Sequence, residues 1–182
     1  MTLRTIAIAM AVTVGAALAF PGHLAQAQEA PVGVKNQLEL LKSNDPKLAA
    51  NKKLVFDMYR AIVNAGRVDM ADQFFTKEYI QHNPNVKSGR DELVAYIKKT
   101  RPVREMTRDI AFPVIAIMAE GDLVTVATVA MMDDAENPGQ KYANTHFDMY
   151  RIENGKIAEH WDHVERSKRS QSFDPNSTSR GK

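Results

Sequence analysis

The sequence predicts an α+β domain in which a curved antiparallel sheet of four or five strands wraps around three N-terminal helices to form a cone. Two observations carry that expectation. Apolar residues recur at helical spacing between Asp45 and Lys99, and from Asp109 onward the chain becomes almost wholly β-forming, broken by short turns. A third observation is size: the 182-residue chain less a 27-residue leader leaves about 155 residues, enough for one packed core. With no cysteine in the chain, that core stands without disulfide staples.

The leader is legible first. Arg4 precedes an apolar run from Ile6 to Phe20, and Ala25-Gln26-Ala27 places small residues around a cleavable bond. The run is short for a bilayer and is interrupted by Pro21 and Gly22, so a signal peptide cut after Ala27 is expected rather than an anchor. The mature protein is then periplasmic or secreted, with no membrane association after cleavage. The expected organisation is a signal peptide over 1–27, a polar lead-in over 28–44, the cone domain over 45–165 and a flexible polar tail over 166–182.

Within the lead-in, Leu38 to Leu41 is a short apolar patch suited to one helical turn against the body. Asp45 caps and Pro46 opens the first long helix, because proline lacks a donor where none is needed. Leu48, Val55, Met58, Tyr59 and Ile62 mark its inner face, and Gly66 ends it. A short second helix is expected from Asp69 to Phe75. Tyr79 to Pro84 reads as extended, since Pro84 biases Asn83 away from helix. Ser88 with Asp91 resembles a capping box for a third helix, Asp91 to Lys99, with Leu93, Val94 and Ile97 inward. The β region divides into Ile110–Met118, Leu123–Met132, Lys141–Ile152 and Lys156–Val164, with turns at Glu120-Gly121-Asp122 and Glu153-Asn154-Gly155 and a loop from Asp133 to Gln140.

The last hairpin, HFDMYRIENGKIAEHWD from His146 to Asp162, carries His-x-Asp twice. A two-residue Asn154-Gly155 turn pairs Asp148 with Trp161 and sends the two motifs to opposite faces. A three-residue loop with Gly155 as a left-handed bulge sets Asp148 opposite His160 and His146 opposite Asp162, gathering four proton-transfer groups on one face. The second register is expected, because Glu153 is a poor pairing residue and Gly155 stands where a positive φ is required. Trp161 then falls on the other face with Phe147 and Met149. So much apolar surface predicts a homodimer through the outer sheet face.

The helix from Leu48 to Gly66, the segment YIQHNPNVKSGRDEL from Tyr79 to Leu93 and the His146–Asp162 hairpin together resemble the SnoaL-like polyketide cyclases, a branch of the nuclear transport factor 2-like superfamily. The resemblance spans nearly all of Asp45 to Val164 and implies that superfamily's cone. It also implies acid-base aldol ring closure without metal or Schiff base, with an aspartate near the end of the sheet moving the proton. The matching aspartate is Asp162, surrounded by His146, Asp148 and the His82-Asn83 pair.

Asp162 is accordingly the first candidate for general base. Burial in an apolar cavity is how a carboxylate gains the basicity to take a proton α to a carbonyl. His146 and His160 are candidates for orienting carboxylates or donating to an enolate oxygen. Asp148 is either the second acid of a dyad or the partner of His160, with an ion pair to Arg151 as the structural alternative. His82, Asn83 and Tyr59 are expected to bind substrate, and Tyr79, Tyr96 and Tyr142 also compete for the cavity wall. No cofactor is expected. A metal site built from His82, His146, His160 and a carboxylate is the minor alternative.

The expected partner is a small apolar carbonyl compound, and the expected class a metal-independent cyclase or isomerase; a non-catalytic ligand-binding or dimerisation module of the same fold is the alternative. Nucleic acid is not expected: the formal charge is only +2, and the basic residues of the tail from Arg166 lie among Ser, Thr, Asn and Pro with a single aromatic, Phe173.

Overall fold

The computed structural model describes residues 29–164, so the expected signal peptide and the whole of the polar tail lie outside the described residues. Helix α1 (Pro46–Met58) begins as anticipated: the Asp45 carboxylate accepts from the amides of Lys47 (2.7 Å) and Leu48 (3.3 Å). It continues into a wider π turn over Tyr59–Asn64, closed by Ala65 N–H to the Arg60 carbonyl, and stops at Gly66 with φ 63°. Helix α2 is one turn (Ala71–Phe74), shorter than expected, because Phe75 already starts strand β1 (Phe75–Gln81). Helix α3 (Arg90–Thr100) turns Leu93 and Ile97 inward.

Strands β2 (Val114–Glu120), β3 (Leu123–Asp133), β4 (Lys141–Glu153) and β5 (Lys156–Asp162) complete a five-stranded sheet in the order β1-β5-β4-β3-β2. The sheet is not wholly antiparallel: β1 pairs with β5 in parallel, reached through the long excursion of α3 and β2 to β4. The core lies between helices and sheet, with Val55, Phe56, Met58, Tyr59 and Ile62 of α1 and its continuation set against Val114, Ile117, Val124, Val126 and Ile157.

Two further expectations are corrected. Ile110 to Pro113 does not join the sheet, since Pro113 has no N–H to give a ladder. The buried Gln37 side chain substitutes for a neighbouring strand, accepting from Ile110 N–H (2.8 Å) and donating to the carbonyls of Ile110 (3.0 Å) and Phe112 (3.2 Å). Gln37 opens the short helical turn Gln37–Leu41, which contains the predicted apolar patch Leu38–Leu41 and docks the lead-in. Nor does Ser88 cap α3: Gly89 precedes the helix, and Ser88 Oγ instead accepts from Gln81 N–H (3.0 Å) on the open edge of β1.

The decisive local feature is the β4–β5 hairpin. Its turn is the two-residue one: Asn154 (φ 49°) and Gly155 (φ 73°) both take positive φ, and Glu153 pairs with Lys156. The expected three-residue loop is therefore wrong. Beyond Ile152 and Ile157 the register slips by one, so that Arg151 faces Glu159 and Ala158 is the extra residue. Ile157 and Ala158 are both buried, and alternation resumes one position out of step. Asp148 now faces Asp162, and Tyr150 faces His160. His146 does not sit opposite Asp162 nor Asp148 opposite His160, yet all four project to the inner side.

Candidate functional site

Between α1, α3 and the inner sheet face lies a cavity of about 90 Å³. Met58, Ile62, Phe75, Leu93 and Ile97 supply its apolar wall; Gln81, Asn83, His146, Asp148, His160 and Asp162 converge at its polar end.

Asp148 is the hub. Its Oδ2 accepts from the Tyr59 hydroxyl at 2.5 Å, and its Oδ1 lies 2.9 Å from His160 Nε2 and 3.4 Å from His146 Nε2. Burial alone raises this carboxyl's pKa, but the hydrogen bonds and charges of His146 and His160 outweigh burial and hold it well below the usual carboxylate range. The structural alternative of an Arg151 partner is not what forms: Arg151 is on the outer face, bonded to Asp122 (2.7 Å) and Glu159 (3.1 Å). Tyr150 donates to the Tyr59 hydroxyl at 3.1 Å and stacks on His160 at 4.7 Å. Burial, followed by the Asp148 charge, pushes the Tyr59 and Tyr150 phenols well above their usual values, so both remain protonated donors.

The protonation of His160 follows from its other contact. Gln81 Oε1 accepts from the backbone N–H of Asn83 (3.0 Å), which can only donate and so identifies that amide atom as oxygen. The same oxygen lies 2.8 Å from His160 Nδ1, which must therefore carry a hydrogen. Were Nε2 bare, it would face the Asp148 carboxylate lone pair to lone pair at 2.9 Å. One further hydrogen must lie between them, shared along the contact of Nε2 with Oδ1. The buried pair thus stores one transferable proton.

Asp162 is half-buried at the end of β5, and Asn83 donates to its Oδ2 at 2.7 Å. Tyr59, Tyr79 and Tyr96 line the cavity as the sequence suggested; Tyr142 is half-exposed and lies outside it. His82 is corrected as well. Alternation along β1 turns Tyr79 and Gln81 inward, leaving His82 to stack on Trp161 on the opposite face (4.8 Å, interplanar 5°) and to bond Glu159 at 3.0 Å. The metal set imagined around His82 does not assemble. Among the described residues, His146, Asp148 and Asp162 offer ligand atoms within 4.8 Å of one another. The hydrogen bonds from His160, Tyr59 and Asn83 already engage the two carboxylates of that set.

Sequence reasoning missed Gln81, Tyr150 and Arg101, all of which line the cavity. The available signal for Gln81 was period-two alternation from Tyr79, which groups it with Asn83 and excludes His82.

The SnoaL-like polyketide cyclase family model matches residues 53–171. No curated protein matches the chain. Solved structures similar to it include TsrD from Streptomyces laurentii, 22% identical with a TM-score of 0.44, over 66% of this chain and 90% of that one. A putative polyketide cyclase from Acidithiobacillus ferrooxidans is 16% identical (TM-score 0.45), over 67% of this chain and 90% of its own. A putative SnoaL-like polyketide cyclase from Jannaschia sp. CCS1 is 18% identical (TM-score 0.47), with the same coverages.

Proposed function

The chain belongs to the SnoaL-like polyketide cyclase family, and within it we propose an exported small-molecule enzyme of the aldol-cyclising or isomerising type. Asp162 takes a proton from carbon α to a carbonyl. The proton stored between His160 and Asp148 goes to the oxygen on which negative charge develops.

The observation that carries this reading is the shared Gln81 oxygen, because it divides two adjacent carboxylates into unlike roles. Asp148 is engaged by Tyr59, His160 and His146, whereas Asp162, at the cavity wall, accepts from the Asn83 amide on Oδ2 and, at 3.4 Å, from the Val164 backbone N–H on Oδ1. A proton-storing acid beside a separate base is what enolate chemistry requires. In a cyclisation the C–H proton moves to Asp162, the enolate carbon bonds to a second carbonyl of the same molecule, and the resulting alkoxide takes the shared proton. Transfer of the Asp162 proton back to the His160–Asp148 pair, with His146 beside Asp148 as the natural relay, restores the starting state.

The test is deuterium exchange α to the carbonyl in a panel of ketones, followed by proton NMR. The wild type exchanges these positions and Asp162→Asn lowers the rate by at least about 100-fold. Equal rates in the two proteins refute Asp162 as base. Saturable ligand binding with no exchange in either favours the non-catalytic pocket.

Export is supported by Arg4, the Ile6–Phe20 run and Ala25-Gln26-Ala27, and N-terminal sequencing of the mature protein checks cleavage after Ala27. A homodimer through the outer sheet face is supported by Ile80, Met118, Met131 and Phe147, each about half exposed, beside Met149 and Trp161. Only monomer by analytical ultracentrifugation at micromolar concentration refutes it.

A further inference from the structure

Tyr79 is a buried phenol of the cavity wall that takes no part in the acid-base scheme above. A backbone amide sets the role of its hydroxyl. Because Asn83 N–H identifies Gln81 Oε1 as oxygen, the other end of that amide is nitrogen, and it donates to the Tyr79 hydroxyl at 3.1 Å. Tyr79 is the acceptor in this bond, so its own hydrogen is directed elsewhere. The neighbouring carboxylates do not take it: Asp148 accepts from Tyr59, His160 and His146, and Asp162 from Asn83 and Val164. Among the described residues no group accepts from the Tyr79 hydroxyl, whose one hydrogen bond is the bond from Gln81. Its two buried neighbours differ in this respect. Tyr150 donates to Tyr59 and Tyr59 to Asp148, so both of those hydrogens are committed.

A buried donor on a cavity wall, given no acceptor by its own chain, is suited to an acceptor on the ligand. The ring stands edge-on to Phe75 (centroids 5.0 Å, interplanar 70°), and the Tyr79 carbonyl accepts from Gly89 N–H (2.6 Å), so the hydroxyl is presented from a fixed place on β1. Burial, then the charges of Asp148 and Asp162, push this phenol well above its usual pKa, so it donates a hydrogen bond and keeps its proton. The reaction supplies the acceptor. Aldol closure develops charge first on the enolate oxygen and then on the alkoxide, and the proton of the His160–Asp148 pair serves the alkoxide alone. We propose that Tyr79 is a further catalytic residue, its hydroxyl binding the carbonyl that enolises and hydrogen-bonding the enolate oxygen while Asp162 holds the proton from the α carbon. The assignment rests on the acid-base reading above and adds to it the group that holds the enolising carbonyl.

The probe is cyclopentanone labelled with carbon-13 at its carbonyl, added to the wild type, Tyr79→Phe and Asp162→Asn. A hydrogen bond from a phenol draws the bound carbonyl resonance downfield whether or not the α hydrogens exchange. The wild-type resonance lies several parts per million downfield of that in Tyr79→Phe, and the Asp162→Asn resonance stays with the wild type. In deuterium exchange Tyr79→Phe lowers kcat about 100-fold with KM within about threefold, because the bond strengthens as charge develops. Its pH-rate profile keeps the wild-type midpoints, since Asn83 N–H still holds Gln81 for His160, whereas a loss through a disturbed His160 moves them. If Tyr79→Phe does not fold, Tyr79→3-fluorotyrosine, a stronger donor of nearly equal size, moves the resonance further downfield. A resonance indifferent to the change at Tyr79, a wild-type exchange rate retained in Tyr79→Phe, shifted midpoints, or no binding of the ketone by the wild type overturns the proposal. The two readings fail separately. A Tyr79-dependent resonance with exchange that is absent or survives Asp162→Asn removes the base and leaves the carbonyl donor, whereas Asp162-dependent exchange with a resonance indifferent to Tyr79 does the reverse.

Discussion

Replacing Asp148 with asparagine removes the charge on which three donors converge while keeping the volume of the side chain. The Tyr59 hydroxyl at 2.5 Å and His160 Nε2 at 2.9 Å are full hydrogen bonds to a buried anion, each contributing about 1.5–3 kcal/mol. The His146 contact at 3.4 Å is discounted for length. Asparagine keeps one acceptor and turns the other position into a donor, so either Tyr59 or the histidines meet an N–H. The two bonds sum to about 3–6 kcal/mol, and the cost of breaking a buried ion pair by removing one partner is about 3–5 kcal/mol. We expect a loss of about 3–5 kcal/mol, against a total of roughly 5–15 kcal/mol for a domain, with the thermal midpoint falling by about 10–15 °C. Urea unfolding followed by Trp161 fluorescence and far-ultraviolet circular dichroism measures it. The sign with pH is fixed. A carboxyl whose pKa is depressed on folding stabilises fully above its unfolded value of about 3.9 and loses that contribution as pH falls below it. The gap between wild type and Asp148→Asn therefore narrows on acidification below about pH 4. A gap under about 1 kcal/mol at neutral pH, or one that stays constant on acidification, refutes the hub assignment.

Thr128 is fully buried opposite His146, and its hydroxyl has no hydrogen-bond partner among the described residues. Thr128→Val keeps the shape and removes the orphan group, raising stability by roughly 1 kcal/mol in the same urea assay. Gly66→Ala destabilises by about 1–2 kcal/mol from its left-handed backbone alone, and by more because the new Cβ would stand 2.7 Å from the Pro102 carbonyl oxygen. Gln81→Leu removes the acceptor that fixes His160 Nδ1 and lowers the exchange rate by about 10–100-fold, shifting the pH-rate profile; a purely structural loss would lower the rate with no such shift.

The fold class was legible because its signals are local. Asp45-Pro46 states where α1 begins, helical spacing from Leu48 to Ile62 states which side it buries, and the Asn154-Gly155 pair marks a hairpin whatever its length. The parallel pairing of β1 was not legible, since nothing in Phe75–Gln81 names β5 as its neighbour. The candidate site was readable as a set of residue types but not as an arrangement. Asp148 carries no local mark that distinguishes it from Asp162; its place at the centre comes from Tyr59, 89 positions earlier, and from a slip in register. His82 shows the converse. A chemically attractive residue in a family-like motif lies on the outer face, and the plain alternation of a strand, taken from Tyr79, places it there.

The extra residue at Ala158 makes the arrangement a matter of counting. Were Ala158 to take a regular ladder position instead of bulging, every β5 side chain after it would stand on the other side: Trp161 in the cavity, His160 and Asp162 out beside Phe147. No side chain need change for the acid-base groups to be dispersed. Substitution scanning along this hairpin tests the letters of the site one at a time; the bulge is its punctuation, and deleting Ala158 leaves a regular β5 with His160 and Asp162 still inward.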